Sequence, residues 1–253
     1  MKGTIKIIII ELIVAAAGFT LAYYLLTNIS RPTTVAVERT ADFTIYIPQG
    51  HPRLAVETMP KWEDSVDFCC AAAFCGDRLD TFDHKNIAGN HVVDGKLFEG
   101  YPCRTNTGLF CYYNGKWHFA YARKKDRDQK YKPLLNSAAK YPDGMAFGQI
   151  MVIYNGKKIK GIRWRKSKNV YRCLCEKEGR LMIVESNHAI EWQDFVERLH
   201  AFGVRHAISL DMGSCSAAYY NDSTGLKATI HGRPNKHYTN WLYFKNDSRQ
   251  NNN

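Results

Sequence analysis

A carboxylate, a glycine and two hydroxyls follow directly after a short apolar segment of the chain. Ala207 to Leu210 is apolar apart from one serine, and the chain then continues as Asp211-Met212-Gly213-Ser214-Cys215-Ser216. Gly213 allows the backbone to approach a ligand closely, and loop N–H groups beside Ser214 and Ser216 can form a nest that binds an anion. A carboxylate beside such a nest suits chemistry on a phosphate or a sugar. The competing interpretation is an ordinary tight turn.

The segment from Ala207 to Ser216, AISLDMGSCS, resembles a family signature, A-x-x-L-D-G-G-G-S-S, of the phosphodiester glycosidases. Tyr171 to Val184, YRCLCEKEGRLMIV, is similar to the family stretch R-T-A-I-G-x-x-x-D-G-x-x-x-x-V, with Arg172 at its arginine. Thr239 to Phe244, TNWLYF, is similar to its closing strand, with Asn240 at the asparagine.

Two more segments stand in the order that the family requires. Trp192 to Val204 fits the family's helix before the signature, and Phe68 to Gly76, FCCAAAFCG, lies where the family often has N-G-G-F. The resemblance covers roughly residues 68–244. The chain departs from the family at the glycine triplet, which reads Met212-Gly213-Ser214, and at the early asparagine, which is replaced by alanine.

The resemblance implies hydrolysis of a sugar-1-phosphodiester at its glycosidic bond. Phosphate is already a good leaving group, so such a site needs mainly to hold the phosphate and to stabilise an oxocarbenium-like centre. By this resemblance Arg172 grips the phosphate oxygens and the backbone from Gly213 to Ser216 completes the cradle. Asp211 serves as base, nucleophile or electrostatic stabiliser, and Asn240 contributes to substrate binding by supporting the Asp211 loop.

Two charged residues are added as substrate-binding candidates. Glu185 follows an apolar strand segment, and a second carboxylate is what two-carboxylate glycosidase chemistry requires; a surface position near a helix start is the alternative. Arg233 is a loop cation in His231-Gly232-Arg233-Pro234 that can reach an anionic ligand. The eight cysteines lack the spacing of a zinc site. No metal ligand and no cofactor is therefore predicted.

The predicted fold is α+β, a single β-rich domain with a mixed sheet, hairpins and a strand–helix–strand unit. Asn114-Gly115 and Asn155-Gly156 each separate two apolar runs, which is a strong hairpin signal. Asp94-Gly95 and Glu178-Gly179 resemble further turns. Apolar residues from Trp192 to Phe202 recur at helical spacing, with Gly203 as the stop signal.

One N-terminal transmembrane helix is expected before this domain. Ile7 to Leu26 is an apolar run of about the 20 residues that span a bilayer, and a cleaved signal peptide is the rival interpretation. Lys2 and Lys6 would keep the short end in the cytoplasm and place the domain at the periplasmic side or cell surface. The predicted division is an anchor at 1–31, the phosphodiester glycosidase-like domain at 32–245 and a disordered tail at 246–253.

The whole chain is basic, with a net charge of +11 over 253 residues, so its partners are expected to be anionic. The leading hypothesis is a membrane-anchored extracytoplasmic hydrolase that acts on a sugar phosphate or anionic glycan. The second is a non-catalytic module of the same fold that binds anionic glycans or lipid headgroups. A membrane-bound nuclease rests on charge alone, and nucleic acid is not predicted as a partner.

Overall fold

The computed structural model describes residues 34–57, 61–63, 65–75, 83–103, 105, 107–161, 167–212, 215–232 and 240–246, all of which fall within one unit of the chain, Thr33–Asn253. The strands of this part of the chain are β1 (Ala36–Arg39), β2 (Phe43–Ile47), β3 (His51–Ala55), β4 (Val66–Ala71), β5 (His91–Val93), β6 (Lys96–Phe98), β7 (Gly108–Tyr113), β8 (Lys116–Tyr121), β9 (Met145–Gln149), β10 (Met151–Tyr154), β11 (Lys157–Lys158), β12 (Arg172–Lys177), β13 (Arg180–Ser186), β14 (His206–Ser209), β15 (Cys215–Asp222), β16 (Gly225–Gly232) and β17 (Trp241–Lys245). Its α-helices are α1 (Arg127–Ala138) and α2 (Trp192–Ala201).

These strands form three sheets, and every strand pairing is antiparallel. Sheet 1 has seven strands in the order β1-β2-β13-β12-β14-β10-β11. Sheet 2 has five in the order β16-β15-β4-β17-β3, and sheet 3 has five in the order β6-β5-β9-β7-β8.

The predicted mixed sheet is wrong, and with it the predicted fold class. The strand–helix–strand unit does exist as β13, α2 and β14, but β12 lies between the two strands and pairs antiparallel with both. Two antiparallel steps make β13 and β14 run in the same direction without being neighbours. The unit therefore creates no parallel pair.

The hairpin predictions are confirmed. Asn114-Gly115 joins β7 to β8, and Asn155-Gly156 joins β10 to β11. The first residue of each pair has φ of 51°, and the glycines have φ of 70° and 71°. Asparagine and glycine tolerate this left-handed backbone, which is why they mark the turns in the sequence.

The helix α2 is confirmed, whereas α1 is an addition to the predicted elements. Gly203 stands just after α2 with φ of 83°, a conformation typical of a helix stop. The helix α1 contains Pro133, a residue that interrupts most helices and hides this one from a sequence pattern.

Sheet 1 is covered on both faces. One face packs α2 through a cluster that includes Cys173, Val184 and Phe195. The opposite face packs against sheets 2 and 3 through a hydrophobic cluster that includes Leu174 and Ile208. Since side chains alternate along a strand, Arg172 and Glu185 belong to the same face as Leu174 and Ile183, inside the molecule.

The N-terminal segment Ile7 to Leu26 lies outside the described residues. Neither helix in the described part of the chain is long and apolar enough to cross a membrane.

Candidate active site

The Asp211 loop is fixed between two sheets. It begins where β14 ends, and the Leu210 N–H donates to the Arg172 carbonyl of sheet 1 at 3.0 Å. The Asp211 N–H donates to the Ala72 carbonyl at 2.8 Å, just beyond the end of β4 in sheet 2. Asp211 is half-buried. The backbone that carries this carboxylate is thus held from both sides.

Asn240 holds the next residue of the same alanine segment. Its side-chain oxygen accepts from the Ala73 N–H at 2.7 Å, and its amide nitrogen donates to the Ala73 carbonyl at 3.0 Å and to the Cys75 sulfur at 3.4 Å. Asn240 is only 1% exposed. The structure therefore brings Asp211 and Asn240 onto adjacent residues, Ala72 and Ala73, in the stretch where the sequence resemblance places N-G-G-F.

Arg172 and Glu185 form a buried ion pair on neighbouring strands. They are direct partners in the β12–β13 register, and the Arg172 Nε lies 2.7 Å from Glu185 Oε2, which also accepts from Nη2. Arg172 is completely buried and Glu185 is 5% exposed. This cross-strand contact explains how two charged side chains remain in the interior.

Further contacts of the Arg172 guanidinium connect sheet 1 to sheet 2. Nη1 donates to the Ala217 carbonyl of β15 at 3.3 Å, and Nη2 donates to the Thr229 hydroxyl of β16 at 3.4 Å. Burial is the largest influence and opposes the positive charge, but Glu185, Cys70 and Tyr46 together outweigh it, so the pKa of Arg172 is raised overall. Burial also raises the pKa of the nearby Cys70 thiol to about 12. The thiol is therefore neutral beside a permanent cation.

The two predicted site regions are joined through the backbone. Arg172 contributes its carbonyl to the Asp211 loop, while its guanidinium is engaged with Glu185, Ala217 and Thr229 inside the molecule. The structure thus places Arg172, the residue predicted to bind the phosphate, beneath the Asp211 loop. There it contacts Glu185, the second predicted carboxylate. The catalytic and binding roles of these residues stay predictions.

Three predicted site residues, Gly213, Ser214 and Arg233, lie outside the described residues, and the side chain of Ser216 does too. The described backbone ends close to them. β15 starts at Cys215, which pairs with Gly232, the last residue of β16. The substrate-binding roles of these four residues stay predictions.

Ser209 was not predicted and is the nearest buried hydroxyl along the chain to Asp211. It is 3% exposed, and its Oγ has no hydrogen-bond partner within the described part of the chain. A serine inside the otherwise apolar run of β14 is the sequence signal for such a position.

Two surface cavities, of about 690 and 340 Å³, lie elsewhere, beside α2 and the β10–β11 hairpin. Neither cavity is lined by Asp211, Arg172 or Asn240.

The described residues show no cluster of metal-ligating side chains. They contain no group of three or more histidine, cysteine or acidic side chains placed to hold a metal ion. The seven cysteines whose side chains are described are free thiols, and five of them are buried: Cys69, Cys70, Cys111, Cys173 and Cys175. These five cysteines therefore act as small buried hydrophobic residues.

Sequence comparison places the chain in no family: no family model and no curated protein matches it. Comparison of structures does find similar folds. The catalytic domain of zebrafish N-acetylglucosamine-1-phosphodiester alpha-N-acetylglucosaminidase, auto-inhibited by its pro-peptide, matches with a TM-score of 0.50 and 13% identity over 83% of this chain and 81% of that one. A hypothetical protein from Synechocystis matches with a TM-score of 0.44 and 12% identity over 83% of this chain and 61% of that one.

The zebrafish domain shares the fold of this chain at a remote level. The fold extends over most of both chains, so the relationship concerns the whole domain and not a single motif. At 13% identity it is a relationship of fold.

Proposed function

We propose that the chain is a phosphodiester glycosidase-type hydrolase that cleaves the glycosidic bond of a sugar-1-phosphodiester at Asp211. The observation that carries the proposal is the position of Asp211. It follows a central strand of a fold shared remotely with such an enzyme domain. Backbone hydrogen bonds hold this loop, from Leu210 to the Arg172 carbonyl and from Asp211 to the Ala72 carbonyl. Preorganised charge near the reacting centre is the usual source of catalysis.

In this proposal Asp211 supplies the charge, and the other described residues position the loop that carries it. Asp211 provides the half-buried carboxylate that faces the developing positive charge on the sugar. Asn240 holds the Ala73 backbone on one side of Asp211, and the Arg172–Glu185 pair supports the loop from below. Loop N–H groups from Gly213 to Ser216, with Arg233, are proposed to bind the phosphate.

The experiment is a product assay with the full chain and a matched pair of variants. UDP-sugars and synthetic N-acetylglucosamine-1-phosphate esters are offered to the parent, to Asp211→Asn and to Asp128→Asn, and free sugar is measured. Asp128 is an exposed carboxylate in the first turn of α1 and serves as the control. We expect Asp211→Asn to lower kcat by about 10²- to 10⁴-fold and Asp128→Asn to leave it unchanged.

A second candidate function is a non-catalytic module that binds anionic glycans or lipid headgroups. Burial of the Arg172 guanidinium against Glu185 favours this second function, because the cation predicted to grip the phosphate is then engaged by Glu185 inside the protein. Isothermal titration with the same esters separates the two functions. Binding by the parent without release of sugar, at equal affinity in Asp211→Asn, supports the binding module and contradicts the enzyme.

A further inference from the structure

The edge strand β16 is exposed and apolar along most of its length. It is the outermost strand of sheet 2. Leu226 is 52% exposed and Ile230 is 47% exposed, and they are two of the three exposed large hydrophobic residues in the described part of the chain. Ala228 between them is also exposed. Proteins usually protect such an edge with charges or prolines, but from Gly225 to Ile230 the only charged residue is Lys227.

The backbone of the same three residues points to the open edge. The Asn221 carbonyl accepts from the Val35 N–H at 2.8 Å, so Asn221 directs its polar groups away from β16. Opposite residues in an antiparallel ladder alternate between bonded and non-bonded pairs. Asn221 pairs with Leu226 in the β15–β16 register. It follows that Leu226, Ala228 and Ile230 present their N–H and C=O groups outward, with their side chains together on one face.

We propose that β16 pairs with β16 of a second copy of this chain, antiparallel and centred on Ala228. In that register Leu226 lies opposite Ile230 of the second copy, and Ala228 lies opposite its own counterpart. Lys227 lies opposite Thr229, so no like charges meet. A register centred on Lys227 would oppose two lysines and be destabilised.

The pairing is symmetric, and both copies contribute the same surface, as in a two-fold dimer. It joins the two copies of sheet 2 edge to edge and satisfies the outward backbone groups of Leu226, Ala228 and Ile230. One strand pair buries less surface than a standard protein interface, so the dimer is weak and forms at raised concentration.

Cysteine cross-linking of the full chain tests the proposed register. The chain is kept in mild detergent because of its apolar segment Ile7 to Leu26, and Ala228→Cys, Leu226→Cys and the parent are oxidised in parallel. Directly opposite bonded residues have Cα atoms about 5.5 Å apart, which suits a disulfide. Two Leu226 residues would stand about 13 to 14 Å apart along the strands, too far for one.

We expect Ala228→Cys to give about tenfold more reducible dimer than Leu226→Cys or the parent, because only its sulfurs come within bonding distance. An equimolar mixture of Leu226→Cys and Ile230→Cys chains should give a mixed dimer. Equal cross-linking at all positions, or none above the parent, would overturn the proposal.

Hydrogen exchange separates a second copy from coverage by another part of the same chain. Under the proposal, amides of Leu226, Ala228 and Ile230 exchange faster on dilution and are slowed as concentration rises. Protection that is independent of concentration means that the chain covers its own edge, and this also overturns the proposal. Ala228→Lys, which opposes two lysines, should abolish the concentration dependence while near-UV circular dichroism shows an unchanged fold.

Discussion

The inner face of β12 carries a charged residue at each end, and the two ends differ in how that charge is held. At the Asp211 end, Arg172 is completely buried with its Nε 2.7 Å from Glu185 Oε2. At the far end, Glu176 Oε2 lies 3.9 Å from His206 Nε2, and the His206 side chain is 12% exposed. A permanent cation in direct contact with its carboxylate lies beneath the loop, whereas the partner of the equally buried Glu176 is a titratable histidine at a longer distance.

The stability of the fold therefore depends more on the charges at one end of β12 than on those at the other. Removing one member of a buried, hydrogen-bonded pair leaves an uncompensated charge in the interior. The 3.9 Å contact of Glu176 is longer, and its partner is a histidine that is charged only when protonated, so this pair contributes less. The Asp211 end should therefore be sensitive to single substitutions and the far end tolerant of them.

The largest effect is expected at Arg172. Arg172→Met leaves Glu185 buried without its cation and should lower the free energy of unfolding by about 3 to 5 kcal/mol. Urea denaturation measures it. The control is the double variant Arg172→Met/Glu185→Leu, which should recover much of the loss because neither charge remains. If the double variant is as unstable as the single one, the ion pair is not what the interior requires.

Asp67 extends the comparison to a buried carboxylate held by backbone N–H groups. Its Oδ2 accepts from the N–H groups of Gln49 and Gly50, and its Oδ1 has no partner within the described residues. Burial raises the pKa of Asp67 from 3.8 to about 6. The folded state then binds more protons than the unfolded one between these values, so stability falls as pH rises through this range.

For Asp67→Asn we expect this dependence to disappear. The parent should lose about 2 kcal/mol between pH 4 and 7 relative to the variant, since each pKa unit corresponds to about 1.4 kcal/mol and part of the full shift falls below pH 4. Urea midpoints of both proteins at pH 4, 5, 6 and 7 measure the difference. Parallel curves would show that Asp67 ionises as readily in the folded chain as in the unfolded one.

Asn240→Ala tests the positioning of the Asp211 loop without changing a charge. Two polar groups of Ala73 lose their buried partner, so we expect a loss of about 1 to 3 kcal/mol together with a fall in kcat. The exposed Asn136→Ala in α1 is the control for stability and should change it by less than about 0.5 kcal/mol. Full activity in a destabilised Asn240→Ala chain would remove Asn240 from the site.

The smallest effect is expected at the far end. Glu176→Gln keeps an acceptor for the Gly179 N–H, which now donates to Glu176 Oε1 at 2.8 Å. Because this hydrogen bond is retained, stability should change by about 1 kcal/mol or less. Burial lowers the pKa of His206 and the Glu176 carboxylate opposes that shift. NMR titration of His206 should therefore show a still lower pKa in the variant. An unchanged pKa would show that the two side chains do not interact.

The sequence allowed the local elements to be predicted because their signals are local. Asn114-Gly115 and the apolar spacing from Trp192 to Phe202 mark a turn and a helix by backbone preference alone. Pro133 concealed α1. The insertion of β12 between β13 and β14 depends on contacts between distant segments, and no short pattern records it.

The site was predictable only in part, for a related reason. The ordered motifs placed Asp211 and Asn240 in one region, and the structure connects them through Ala72 and Ala73. The burial of Arg172 was not predictable. Both faces of β12 are covered, so the run Arg172-Cys173-Leu174-Cys175-Glu176 is buried throughout and lacks the alternation that separates inside from outside.

Hydrolysis in ¹⁸O-labelled water tests the proposed reaction most directly. Cleavage of the glycosidic bond at the Asp211 site puts the label into the released sugar and leaves the phosphate monoester unlabelled. Mass spectrometry of both products from the full chain, with Asp211→Asn beside it, measures this. Label in the sugar for the parent, with turnover lost in the variant, is the result predicted here. Label in the phosphate, or no turnover of any sugar-1-phosphodiester, would contradict it.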